Sequence, residues 1–226
     1  EGRRHRFSEA SRNTVKLTRD QEPSDFRIRA PAGSGTVRVR VIEMVTDLVT
    51  TERHMDVPVE GSDLRADPAH GICKIAAVDR TRSPGKTFTG LIRGFGLTSG
   101  AVACSAAWDT SDIVVVGTDD GDMACAVNRL HTLQGGAVLC DNGRVLAEIP
   151  MPVFGIASEA PMPTLMAQMQ DLTHHIGRLG VSFPDPLLSL ITLTGAAIPY
   201  LRICEEGLVN LKDGKGNTPL HLAAEK

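Results

Sequence analysis

Residues 94–148 constrain the fold most, because short apolar runs bounded by glycine and aspartate alternate there with one helical pattern. The runs 101–107 and 113–116 have the length and flanking residues of buried strands. Further along, two apolar runs flank Asn142-Gly143, a pair that readily supplies the positive φ angles of a tight hairpin turn. The order strand, strand, helix, strand, strand predicts an α/β fold.

Two segments, 119–134 and 161–179, carry apolar residues at helical spacing. Their stripes are Met123, Val127 and Leu130 in the first segment and Leu165, Met169, Leu172, Ile176 and Leu179 in the second. Either Thr118 or Asp119 can cap the start of the first helix. We expect Met169 to fill the core, because methionine adapts to irregular apolar gaps.

We predict a mixed, largely antiparallel sheet flanked by these two helices, since sequential short strands and a tight turn favour antiparallel pairing. Only the crossover through 119–134 is expected to make a parallel pair. The other expected elements are a strand at 36–45, a short strand pair within 48–59, a strand at 73–78, a buried helix or strand at 187–193, and a hairpin at 200–211.

Charge and hydropathy exclude several classes of partner. The 226 residues carry 24 basic and 27 acidic side chains, so we expect no nucleic-acid partner. No apolar run approaches the roughly 18 residues of a membrane span, so we expect no membrane partner. The five cysteines form no CxxC pair and are expected to be reduced thiols. Together these features predict a cytoplasmic protein.

Three segments resemble, in the same order, the C-terminal domain of bacterial and archaeal adenine deaminases, a branch of the amidohydrolase superfamily. They are IVVVGTDDGDMACAVNRL, QGGAVLCDNGRVLAEIPMPVFGIAS and FPDPLLSLITLTGAAIPYLRICEEGLVNL. The resemblance extends from about Asn13 to Asp213. It implies that 36–213 form such a domain, and that 1–35, which are polar with little core of their own, connect it to a missing upstream barrel. Residues 214–226 contain TPLHLAA, an ankyrin-like signature, and are interpreted as a tail or junction.

The resemblance also implies a chemistry. The full-length enzyme would hydrolyse adenine, or a related aminopurine, to hypoxanthine and ammonia. A divalent metal, manganese or iron, would activate water in the missing barrel. This chain contains no H-x-H pair, and the side chains of the adjacent His174 and His175 would point about 100° apart on a helix. We therefore assign no metal ligand and no catalytic residue here, and expect the fragment alone to be inactive, with its upstream barrel and a second copy of the chain as candidate partners.

The substrate-proximal candidates lie in the loop Trp108, Asp109, Thr110, Ser111 and Asp112. Related adenine deaminases commonly have A-H-D-S-H-N at 107–112, so here Asp109 is retained, Thr110 replaces serine, and the two histidines and the asparagine are lost. Trp108 offers a π-face to a planar base, and Asp109 can accept a hydrogen bond from an N–H group. In the alternative interpretation, Trp108 packs under the sheet edge and Asp109 caps a turn.

A second function class stays open. The altered loop and the ankyrin-like tail favour a stand-alone, non-catalytic module that binds a small molecule or another protein. The polar connector at 13–28 favours the enzyme fragment instead, because it makes sense after a preceding domain.

Overall fold

The computed structural model describes residues 7–210, which build an eight-stranded sheet covered on both faces. The strands are β1 (Ile28–Arg29), β2 (Thr36–Met44), β3 (Thr50–Pro58), β4 (Asp63–Leu64), β5 (Ile72–Asp79), β6 (Thr87–Arg93), β7 (Ala101–Cys104), β8 (Asp112–Gly117), β9 (Gly136–Asp141), β10 (Arg144–Pro150), β11 (Leu201–Cys204) and β12 (Gly207–Asn210). The α-helices are α1 (Glu9–Arg12), α2 (Asp120–Leu133), α3 (Met162–Arg178) and α4 (Pro186–Thr192), and 3₁₀ turns span Pro23–Phe26 and Pro68–His70.

The strand order in the large sheet is β10-β9-β7-β8-β5-β6-β2-β3. Its central strands β5, β7 and β8 are buried along their whole length, as their runs of Val, Ile and Ala require. Alternation along β8 divides its side chains between two cores. Ile113 and Val115 face α2, whereas Val114 and Val116 face α3, α4 and β11. The predicted α/β class with a mixed, largely antiparallel sheet is confirmed.

Helix α2 covers one face of the sheet with Met123, Val127 and Leu130, all fully buried. Asp119 is its N-cap, and its carboxylate accepts hydrogen bonds from the N–H groups of Gly121 and Asp122. The helix ends at Gln134 in the left-handed conformation. Gly136 follows with φ 144°, and a Cβ there would lie 2.1 Å from the carbonyl oxygen of Ile149, so this position requires glycine.

Helices α3 and α4 and the small hairpin β11–β12 cover the opposite face. Residues 187–193 are thus mainly helical, and the last hairpin is present. Helix α3 lies over the edge strand β10 and its neighbour β9, and fully buries only Leu172 and Ile176. Met169 is 44% exposed, so the prediction that it fills the core was wrong. The apolar residues of α3 have the spacing of a core-facing stripe. Because the helix lies over the margin of the sheet, only part of that stripe contacts the core.

Two topology predictions are corrected. The parallel pair is β2–β6, with Val41 opposite Leu91, and not a pair made by the crossover through α2. Strands β8 and β9 do run in the same direction, but β7 lies between them and pairs antiparallel with both. Residues 50–58 form one nine-residue strand antiparallel to β2, where a short strand pair was expected.

The hairpin prediction at Asn142-Gly143 is confirmed. Asn142 and Gly143 have φ angles of 52° and 71° and connect β9 to β10. The pairing of these strands shifts between Val145 and Ala147, which is a bulge in the edge strand β10.

The N-terminal segment contributes more core than its composition suggests. Val15, Leu17 and Phe26 are buried in the cluster beneath α2, because their three apolar side chains are spaced between polar residues that face solvent. The expectation of little core was therefore wrong, while the role of 1–35 as a connector stays a prediction. The ankyrin-like tail lies outside the described residues. Within residues 7–210, no helix is both long and apolar enough to cross a membrane.

Candidate functional site

The candidate loop lies at one end of the large sheet. Strands β5 and β7 end there and β6, β8 and β9 begin there, because these neighbours run antiparallel. The loops 80–86 and 105–111 therefore meet at this end. The turn at Glu205-Glu206 joins them through an ion pair between Lys86 and Glu206.

Residues 105–111 are held against the segment that follows α4. The Thr194 hydroxyl donates to the carbonyl oxygen of Trp108 at 2.8 Å, and the Ala196 N–H donates to the Asp109 carboxylate at 2.7 Å. Asp109 has φ 60°, a left-handed conformation that aspartate tolerates better than most residues. Trp108 is 44% exposed, so it does not pack under the sheet edge, and the Asp109 carboxylate binds the distant Ala196.

Asp112 is the unusual residue of the loop, because it is almost fully buried and neither carboxylate oxygen has a hydrogen-bonding partner among residues 7–210. Burial, and after it the negative charge of Glu205, raise the pKa of Asp112 to about 6. Thr110 and the Glu205 backbone lie close enough to lower that pKa in part, without hydrogen-bond geometry to the carboxylate. The side chain is therefore a proton acceptor in the physiological pH range.

Asp79 lies directly opposite Asp112 in the β5–β8 register, yet its carboxylate is fully occupied. It accepts hydrogen bonds from the N–H groups of Thr81, Arg82 and Ser83 at 2.7, 3.0 and 2.7 Å. Burial alone would raise the pKa of Asp79, but these donors hold it below its usual value. Of these two neighbouring carboxyl groups, Asp79 is a fixed anion that closes the 80–86 loop, and Asp112 is the one that titrates.

A cleft of about 430 Å³ opens beside this pair of carboxyl groups. Its lining residues are Arg82, Asp109, Thr110, Ser111, Arg202, Cys204 and Glu205. Arg202 donates to the carbonyl oxygen of Thr194 through Nη1, but its Nε is buried without a partner. The cleft thus combines hydrogen-bond donors and acceptors next to an exposed indole ring, a set that suits a small planar heterocycle.

The structure separates the five candidate residues into three positions. Asp109, Thr110 and Ser111 line the cleft, Asp112 is buried behind them, and Trp108 lies outside the lining. Sequence reasoning missed Arg82, Arg202 and Glu205, which come from distant segments. The hairpin at 200–211 was predicted, but nothing local in the sequence connects it to 80–86.

A larger cavity of about 880 Å³ lies beside β3, but its charged groups are exposed and paired, for example His70 with Asp67 and Arg65 with Glu60. Across residues 7–210, no three His, Cys, Asp or Glu side chains converge as a metal site would require.

Comparison with known proteins gives one consistent result. A family described as the adenine deaminase C-terminal domain matches residues 47–215, about three quarters of the chain. An adenine deaminase from Brucella anthropi is 36% identical over 201 residues, which are 88% of this chain and 35% of that protein.

Two further adenine deaminases give similar values. That from Mesorhizobium japonicum is 36% identical over 207 residues, 91% of this chain and 34% of the relative. That from Moorella thermoacetica is 35% identical over 206 residues, 90% of this chain and 34% of the relative. The chain spans about a third of the length of the curated relatives it matches.

Proposed function

The chain belongs to the adenine deaminase C-terminal domain family, and from this premise we propose that it is the C-terminal region of an adenine-deaminase-like hydrolase. In the proposed reaction, water adds at the purine carbon that bears the amino group, ammonia leaves, and hypoxanthine forms. A manganese or iron ion in an upstream barrel would activate the water. The described residues of this chain do not fit such an ion, so their own part is to bind and orient the purine.

The observation that carries this proposal is the position of the N-terminal segment. Phe154 N–H donates to the carbonyl oxygen of Ser11 at 2.6 Å, and Arg80 Nη1 donates to that of Thr14 at 3.0 Å. Lys16 N–H in turn donates to the carbonyl oxygen of Arg80. Residues 11–16 therefore run along the same end of the sheet as the 105–111 loop. A domain that precedes them would face the cleft.

The loop residues have roles that their positions allow, in the cleft for Asp109, Thr110 and Ser111, and beside it for Trp108 and Asp112. Trp108 would stack on the purine ring, and Asp109, which gives one acceptor site to Ala196, retains further lone pairs for an amino group. Thr110 and Ser111 add hydroxyl groups, and Arg82 supplies donors for a ring nitrogen or for the product carbonyl. Asp112 would accept a proton or hydrogen bond when the cleft is occupied. We also propose that the enzyme acts in cytoplasmic purine metabolism and that copies of it contact one another.

Expression of the complete open reading frame that contains this chain tests the proposal. With added Mn²⁺ or Fe²⁺ we expect release of ammonia from adenine, and no release from residues 1–226 alone. Ammonia release by the 226-residue chain alone would disprove the division of labour. Absence of activity from the complete product with adenine and related aminopurines would disprove the reaction.

Trp108 provides a second, direct measurement because it is the only tryptophan of the chain. We expect adenine to quench its fluorescence, and Asp109→Asn and Thr110→Ala to weaken that response. His70→Ala, at the cavity beside β3, is the matched control and should respond like the unmodified chain. Equal responses of all three variants would show that the loop does not form the site.

The alternative function is a stand-alone module that binds a small molecule or another protein without catalysis. It is favoured by Trp108, Ser111 and Asp112, which depart from the histidines and asparagine of the family pattern. This alternative predicts the same fluorescence response, to purines or to simple amides, but no ammonia from the complete reading frame. The two measurements together therefore distinguish the enzyme from the module.

A further inference from the structure

Two cysteine side chains meet between helix α2 and strand β9. The sulfur atoms of Cys125 and Cys140 are 2.8 Å apart, which is closer than non-bonded sulfurs normally approach and not far from the roughly 2.05 Å of a disulfide. Both residues belong to regular elements that pack against each other, so this proximity is set by the fold.

The other three cysteines have different surroundings. The Cys73 thiol donates to the carbonyl oxygen of Leu97, and the Cys104 sulfur accepts from the N–H of Ala106. Burial raises the pKa of each of these two thiols to about 12, and their hydrogen bonds are to backbone groups and not to a second cysteine. Cys204 is buried in the β11–β12 hairpin.

The two members of the pair differ in access to solvent. Cys140 is fully buried, while Cys125 packs against the core beneath α2 but is partly exposed. Burial, with the neighbouring Cys125 and the charges of Asp122 and Glu148, raises the pKa of Cys140 well above its usual value. An oxidant from solvent would therefore react at Cys125 first.

We propose that Cys125 and Cys140 form a redox-active pair that closes a reversible disulfide between α2 and β9. With hydrogen peroxide as oxidant, the Cys125 sulfur attacks the peroxide, the O–O bond breaks, and a sulfenic acid and one water form. The Cys140 sulfur then displaces the hydroxyl group, which leaves as a second water, and the S–S bond forms. Two thiols have lost two electrons, and the peroxide has gained them.

The same product can form by exchange with oxidised glutathione. The Cys125 thiolate first makes a mixed disulfide, and attack by Cys140 releases the second of two reduced glutathione molecules. A reducing cytoplasm would reopen the bond. Such a pair is therefore a reversible modification site, which does not depend on the deaminase proposal.

The test uses the full 226-residue chain. After mild oxidation with hydrogen peroxide or oxidised glutathione, thiols are alkylated under denaturing conditions and counted, and a non-reducing peptide map locates the bond. From five cysteines we expect three free thiols, a linked pair of peptides that contain Cys125 and Cys140, and reversal by dithiothreitol. The oxidised chain should melt about 5 °C higher than the reduced chain.

Matched variants separate the pair from the other cysteines. Cys125→Ser should keep four free thiols and lose the melting shift, whereas Cys204→Ala should fall from four thiols to two and retain the shift. Five thiols after oxidation, a bond between other cysteines, or an over-oxidised Cys125 without linkage would overturn the proposal. The map of the unmodified chain decides this even if a variant does not fold.

Discussion

The two faces of the large sheet differ in how their buried charged groups are compensated. On the α2 face, the apolar stripe is fully buried, and Lys74, the buried cation of β5, donates to Asp120 at 2.6 Å and to the carbonyl oxygen of Phe26. On the α3 face, a buried carboxylate has no partner and three methionines face solvent. Burial of charge without compensation costs free energy, so Asp112 lowers the stability of the α3 face, whereas the charge of Lys74 is compensated on the α2 face.

The largest expected change in stability comes from a cavity in the core beneath α2. Leu130→Ala removes a fully buried side chain and leaves a cavity between α2 and the sheet. We expect the free energy of unfolding to fall by about 3 kcal/mol. Urea denaturation measures it, and a loss below about 1 kcal/mol would mean that this face is no better packed than the other.

A gain in stability is expected from the α3 face. Asp112→Asn removes a carboxyl group whose pKa is about 6 in the folded state and about 3.9 in the unfolded chain. This raised pKa favours folding only while the group is protonated, so the unmodified chain should lose stability as pH rises from about 4 to about 6. At pH 7 the variant should be about 2 kcal/mol more stable.

Urea denaturation at several pH values checks this prediction. The charged groups around Asp112 are Glu205 from the hairpin turn, Asp79 from β5 and Arg80 beyond it. The variant should show no loss between pH 4 and 6. An unchanged pH profile would show that Asp112 is not the group that titrates.

Asp79, on the same face, is a matched control because its pKa is shifted in the opposite direction. Its folded-state pKa is lowered, so its contribution to stability is present above about pH 4 and is lost as pH falls through the folded value. Asp79→Asn should lower the free energy of unfolding by about 1.5 kcal/mol at pH 7, because the amide replaces a charged acceptor of three N–H groups. A stabilising effect, as at Asp112, would mean that the two carboxyl groups are not distinct.

The smallest effect is expected on the outer side of α3. Met169→Ser should change the free energy of unfolding by less than about 0.5 kcal/mol, because the side chain is already 44% exposed. Thermal denaturation measures this change, and sedimentation of the same sample reports on association between copies. A large loss of stability would place Met169 in a core, as its spacing first suggested.

Local signals in the sequence predicted the elements well. Asn142-Gly143 and the Asp119 cap each act within a few residues, so the hairpin and the start of α2 follow from the chain alone. The β2–β6 pair and the opposition of Asp79 and Asp112 depend on register between distant strands, which no local pattern encodes. The candidate loop came from a family resemblance, but the isolation of the Asp112 carboxylate is a property of the folded surroundings.

The bulge in β10 also bears on whether the edge of the sheet can pair with a strand of another molecule. Edge strands with a free hydrogen-bonding ladder recruit further strands, and growth of this kind leads to polymers. On one margin, the register shift between Val145 and Ala147 makes the backbone of β10 irregular. On the other margin, β3 carries the charged residues Glu52, Arg53 and Asp56 and ends in Pro58. Both margins therefore carry features that disfavour the addition of a strand from another molecule.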